Sequence, residues 1–202
     1  AFATLPREEV RTIADAVPHV CRESVQTVED EMEVTQGKLS MGFSCGSDDM
    51  PALLLGNTLF GGSSNSKLFL NVREKLSLCY YASSMYHRQK GIITVSSGIE
   101  FQNYQRAYDE ILSQLAAVQN GELEEWELAG ARSTLLNSYA TVGDSQGKLE
   151  NFYLGQAATG RSETPADLAQ AVMEVSAERI CRAMSTVKLD TVYFLKGKEA
   201  QA

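Results

Sequence analysis

The chain has 202 residues, 44% of them hydrophobic, which suffices for one core or at most two, because folded domains commonly run to about 100–200 residues. A formal net charge of −8 disfavours a surface built to neutralise phosphates, so no nucleic-acid partner is expected. No window approaches the roughly 18 consecutive apolar residues of a membrane span, and Ala1-Phe-Ala-Thr-Leu-Pro-Arg-Glu-Glu lacks a basic segment followed by an apolar run; a soluble, cytoplasmic chain without a membrane partner is expected.

In chain order, 6–17 reads as a short helix opened by Pro6, with Glu8 and Glu9 near its positive end and Val10, Ile13 and Val17 on one side; Pro18 ends it. Residues 1–20 could also be the end of a preceding linker. Over 24–34, Val28, Met32 and Val34 alternate with polar neighbours, and over 38–45 Leu39, Met41 and Phe43 do the same, giving two strands or one long bent strand. The almost uncharged run 51–60 begins on a helix-starting proline and stops at Gly61-Gly62, as a buried helix would. Over 65–76, Leu68, Phe69, Val72 and Leu76 form one helical stripe, which sets Arg73 at its edge, four residues after Phe69. Tyr- and Ser-rich 78–87 and β-branched 91–97 read as antiparallel strands joined around 88–90.

The remainder is mostly helical. Tyr104, Ala107, Tyr108, Ile111, Leu112, Leu115 and Val118 keep a 3.6-residue period over 103–118. Asn120-Gly121 breaks it, and a second helix resumes over 122–139 with Leu123, Trp126, Ala129 and Leu136. Asp144 and Thr164 are candidate caps for two more helices, the second with capping-box spacing to Asp167, and Ser176 for a third. A last strand over 189–195 returns to the sheet. The expected fold is therefore a single α+β domain over 1–202, a two-layer, largely antiparallel mixed sheet with helices packed on one face.

Candidate chemistry is sparse. The chain has two histidines, His19 and His87, neither in H-E-x-x-H nor in H-x-x-E-H, so no metal site is expected. Cys21, Cys45, Cys79 and Cys181 form no C-x-x-C pair and read as free thiols. Residues 60–67, Phe-Gly-Gly-Ser-Ser-Asn-Ser-Lys, fail the phosphate-loop pattern; a tight interhelical turn fits, with Gly61 or Gly62 at positive φ. Cys79, Ser83 and Ser84 near His87 lack both a nucleophile elbow and an acidic orienter. Arg73 and Tyr80 lie seven apart across a helix-to-strand turn, where a guanidinium and a phenol could address one extended peptide, although an ordinary surface arginine and strand aromatic read equally well.

The run 59–80, Leu-Phe-Gly-Gly-Ser-Ser-Asn-Ser-Lys-Leu-Phe-Leu-Asn-Val-Arg-Glu-Lys-Leu-Ser-Leu-Cys-Tyr, resembles the carboxy-terminal-half signature of insulinase-like (pitrilysin, processing-peptidase) zinc metallopeptidases, L-F-G-G-x-x-x-S-[RK]-L-F-x-x-[LV]-R-E-K-x-G-L-x-Y. Ser77 stands where that pattern has glycine. The resemblance implies a half-domain of a clamshell in which another half, in the same polypeptide or on a partner subunit, carries H-x-x-E-H and the zinc. It implies that Arg73 and Tyr80 hold a peptide near the scissile bond, with Tyr81 the substitute if the register slips, and that Gly61 and Gly62 shape the turn. A dimer of halves is expected, inactive in isolation; the alternative is a proteolytically inactive assembly subunit or peptide-binding module.

Overall fold

A computed structural model of the chain describes residues 24–197. The helix expected over 6–17, the linker assignment of 1–20, His19 and Cys21 lie outside the described residues. The sheet grows around β2 (Gly37–Ser44), whose alternation buries Leu39, Met41 and Phe43 on one face and leaves Lys38, Ser40 and Gly42 on the other. Antiparallel neighbours on both sides share that pattern: β4 (Ile92–Ile99) sets Val95 beside Met41 and Ile93 beside Phe43, and β5 (Lys188–Gly197) sets Val192 beside Met41 and Phe194 beside Leu39. A one-residue slip would turn every one of these side chains out of the core, so the register is fixed by burial. β3 (Cys79–His87) pairs antiparallel with β4, and β1 (Gln26–Met32) pairs parallel with β5, giving the order β1-β5-β2-β4-β3.

The apolar face is covered by helices. α1 (Met50–Phe60) and α2 (Tyr104–Gln119) lie nearest the sheet, α6 (Ala177–Met184) packs on both, and α3 (Glu125–Ala140) packs on α1 and α5 (Pro165–Met173), while α4 (Gln146–Ala158) runs at the periphery. Leu53, Leu59, Ile111, Ile180 and Met184 fill the layer between, and Phe43 meets Phe60 edge-to-face with centroids 6.3 Å apart. The helix starts follow their caps. Asp49 accepts from Ala52 N–H and receives a bidentate Arg179 guanidinium at 3.0 and 2.9 Å, tying α1 to α6, and Thr164 and Asp167 complete the capping box of α5. Ser176 caps α6.

The α+β reading holds, and the differences have local causes. The segment over 24–45 is two strands flanking β5 from opposite sides. β1 buries nothing: Val28 and Met32 are exposed, and among the described residues its extensive packing is with β5. In α3 the buried positions are Glu127 and Ala131, and Trp126 is 53% exposed, because the face that packs on the core runs through Leu128, Ala131, Leu135 and Tyr139, beside an ion pair at Glu127 described below. The N-cap position of α4 is Ser145, one residue past Asp144, which sits in a 3₁₀ turn.

Candidate functional site

Four consecutive pieces of chain build one end of β3. The first is the end of α1. Gly61 and Gly62 both donate their N–H to Asn57 O at 2.9 Å, and Gly61 O accepts Ser84 N–H at 2.8 Å. Neither has positive φ, contrary to expectation, and Gly61 has φ −156°. Glycine is needed for a different reason, close approach: a Cβ on Gly61 would sit 2.7 Å from Ser84 N, and one on Gly62 2.9 Å from Thr58 Cα. The turn thereby laces α1 to the outer edge of β3.

The second piece, Leu68–Lys75, is wound as a π-helix, not the α-helix its spacing predicts. Leu76 N–H reaches back five residues to Asn71 O at 3.1 Å, and the wider turn rotates Leu76 into solvent while Leu68 and Val72 stay buried. Arg73 and Phe69 remain neighbours, with the guanidinium carbon 4.7 Å from the ring centroid. The start of this segment is anchored by Lys67, whose Nζ lies 3.0 and 3.1 Å from the two carboxylate oxygens of Glu127, both residues buried.

The third piece is Ser77, at φ 50°, the one non-glycine residue with positive φ among the described residues. It stands where the resembled signature has glycine, and that geometry is the reason for a glycine there.

The fourth is the start of β3. Its register with β4 shifts between Cys79 and Tyr81, which leaves Tyr80 as the extra residue of a β-bulge. Two consecutive tyrosines are therefore both solvent-accessible. Tyr80, 58% exposed, and Arg73 line a cleft of about 450 Å³ with Ser77 and Glu100. The Tyr80 hydroxyl donates to Glu100 Oε1, and that hydrogen bond, with the carboxylate's charge, raises the phenol above its usual range. Tyr81 and Arg73 line a second cavity of about 530 Å³ with Phe69, Ser83, Met85 and His87. The Tyr81 ring lies over Gly98, where a Cβ would come within 2.6 Å, and Lys38 Nζ stands 5.4 Å from its centroid.

Arg73 thus borders both clefts, one with each tyrosine, and both expected side chains are at the surface on the same end of the molecule. Glu100 and the Lys67–Glu127 pair were not anticipated. Counting back from the turn near residue 89 brings Tyr80 to the neighbourhood of residues 98–100, so the hairpin register held the signal for Glu100. Lys67 gave none, because pairing across 60 residues has no local signature.

The donor set does not fit a catalytic zinc. His87 offers one imidazole, its Nε2 3.0 Å from Thr94 Oγ1, and no group of three His, Cys, Asp or Glu side chains converges among the described residues. Nor does β3 hold a nucleophile and base: Cys79 and His87 occupy its opposite ends, about 27 Å apart at the usual strand rise, and burial raises the Cys79 thiol.

Comparison with known proteins agrees with this anatomy. Residues 1–135 match the family model described as the peptidase M16 inactive domain. A Bacillus subtilis (strain 168) protein named probable inactive metalloprotease YmfF is 39% identical over 199 residues, 96% of this chain and 47% of that protein. The crystal structure of a conserved protein from Enterococcus faecalis V583 superposes with a TM-score of 0.86 at 28% identity, over 98% of this chain and 48% of that one. That of the peptidase M16 inactive domain from Pseudomonas fluorescens, at 16% identity, shares the fold with a TM-score of 0.76 over 94% of this chain and 48% of its own. The chain spans about half the length of these relatives. With this family match over two thirds of its length, the chain belongs to the peptidase M16 family, as its inactive domain.

Proposed function

We propose that this half-domain grips an extended peptide at the Arg73 end of β3 and presents it to a zinc site carried by another half, in the same polypeptide or on a partner subunit. The observation that carries the reading is the shared position of Arg73 between two adjoining clefts, one faced by Tyr80 and the other by Tyr81. An arginine stacked on Phe69 keeps its N–H fork free for peptide carbonyls, since its one ion pair, to adjacent Glu74 at 3.3 Å, is exposed and worth little. Tyr80 supplies a hydroxyl donor once a substrate carbonyl displaces Glu100. Hydrolytic water would be activated on the other half, and this chain contributes binding and orientation only. Cytoplasmic location belongs to the same proposal.

The test is peptide hydrolysis by this chain assembled with a zinc-bearing half. Arg73→Ala and Tyr80→Phe should each lower kcat/KM about 10- to 100-fold, the weight of one or two lost hydrogen bonds to a polar transition state. Unchanged kinetics in both would remove them from the site. A second reading is favoured by the name of the Bacillus subtilis relative, a probable inactive metalloprotease: the whole assembly would bind peptides or scaffold partners without cleaving them. An assembly that binds peptide through Arg73 and shows no hydrolysis with zinc supplied would select it.

A further inference from the structure

At the far end of β3 the chain turns through 88–91 and forms a third cleft of about 400 Å³, walled by Arg88 and Lys90 from the turn, Arg161 from the segment after α4, and Tyr86 from the strand. Three cations and one carboxylate, Asp48, face it, in a chain whose net charge is −8. Arg88 is held in place without an acid: its guanidinium carbon lies 5.9 Å from the Phe152 ring centroid, and its Nη2 is 3.2 Å from where a Cβ on Gly155 would be. No carboxylate among the described residues comes within ion-pair distance of Arg88 or Lys90, and Arg161 has only an exposed contact to Glu163 at 3.6 Å. Tyr86 lies among these groups. Burial, with lesser contributions from Cys45 and Asp48, outweighs Arg161 and Arg88 and pushes its phenol up to about 12, so it remains a hydrogen donor at neutral pH.

We propose that this cleft binds a carboxylate of the same peptide that lies along β3, so that the half-domain selects peptides carrying an acidic group about six residues from the part held at Arg73. The inference rests on the reading of Arg73 as a peptide grip. Its geometry follows from the strand itself. The Tyr81 cavity runs from Arg73 to His87, and the basic cleft begins past the strand's end at Arg88, on the side where Tyr86 packs against the core, so the peptide would round the 88–91 turn between them. Tyr81 to His87 spans about 20 Å at the usual rise, the length of roughly six residues of extended peptide. A planar guanidinium matches a carboxylate through two parallel hydrogen bonds, and the chain's net charge of −8 disfavours non-specific binding of an acidic peptide.

The test uses fluorescein-labelled Ala/Ser peptides of about ten residues, titrated against the 202-residue chain. One carries Glu near each end and a carboxy-terminal amide, a second has Gln at those positions and the amide, and a third has Gln and a free carboxyl terminus. The Glu peptide should bind about tenfold tighter than the amidated Gln peptide, as a charge-assisted pair allows. Arg88→Gln with Arg161→Gln should erase that preference and leave affinity for the amidated Gln peptide as it was, which also certifies the fold. Arg73→Ala should weaken all three. Tight binding of the third peptide assigns the carboxylate to a chain end, and of the first to a side chain, each in support. Equal binding of all three, or a preference that survives the double substitution, overturns the acidic selection while leaving the grip. No binding of any peptide overturns the grip and this inference together.

Discussion

At the scale of single residues, Ser77 and Tyr80 carry the sharpest expectations. Ser77 turns left-handed at φ 50°, where a Cβ costs about 1–2 kcal/mol that glycine avoids, less the entropy a glycine adds to the unfolded chain. Ser77→Gly should therefore raise stability by up to about 1 kcal/mol, a shift of about 2–4 °C in Tm for a chain of this size. A lower Tm by calorimetry would mean that the serine hydroxyl matters more than the backbone. Tyr80 titrates above the ordinary phenol value of about 10 because its hydroxyl donates to Glu100 and sits beside that carboxylate's charge. The sign follows: the neutral phenol is the favoured form, so this contact is intact below the ordinary value and is lost as pH rises through the raised one. In phenolate absorbance, read as the difference between the wild type and Tyr80→Phe, Glu100→Gln should bring the Tyr80 midpoint down towards about 10. A midpoint unmoved by Glu100→Gln contradicts the contact.

At the scale of elements, the π-wound segment and α3 are joined by the buried Lys67–Glu127 pair, with Glu127 also accepting Glu124 N–H at 2.9 Å to cap α3. Removing one partner of a buried pair leaves an uncompensated charge, so Lys67→Met should cost about 3–5 kcal/mol in urea unfolding. Adding Glu127→Leu should restore most of that, short by about 1 kcal/mol for the lost cap. A single-variant cost under about 1 kcal/mol would show the pair to be solvated. This pair also marks where the sequence ceases to be legible. Periodicity located β2, β4, α2 and β5, whose buried positions alternate or repeat as their burial demands, and local chemistry located the caps at Thr164 and Ser176. It did not show that β1 is exposed on both faces, and it drew the stripe of α3 through Trp126 and Ala129 where the packed face runs through Leu128, Ala131, Leu135 and Tyr139. The spacing Leu68, Phe69, Val72, Leu76 suits either winding for its first half, and the hydrogen bond from Leu76 N–H back to Asn71 O is of the π kind, which spacing alone does not reveal. For the site, Arg73 and Tyr80 were named from the motif. The bulge that exposes Tyr80 and Tyr81 together was not, because it depends on register against β4.

At the scale of the whole molecule, one sheet face is closed by helices and the other presents Tyr81, Ser83, Met85, Ser96 and Lys38, with the Arg73 clefts at one end of β3 and the basic cleft past its other end, on the helix side. A chain that spans about half of its relatives, with one elaborated strip along an edge strand, suits a peptide laid between two halves. On the proposed reading, the strip from Arg73 to His87 holds the peptide. Photo-cross-linking of an extended peptide bearing benzoylphenylalanine, followed by mass spectrometry, tests it most directly. Labels should fall on Phe69, Tyr81 and Met85 and vanish in Arg73→Ala, whereas labels confined to the helical layer, or unchanged by Arg73→Ala, contradict it.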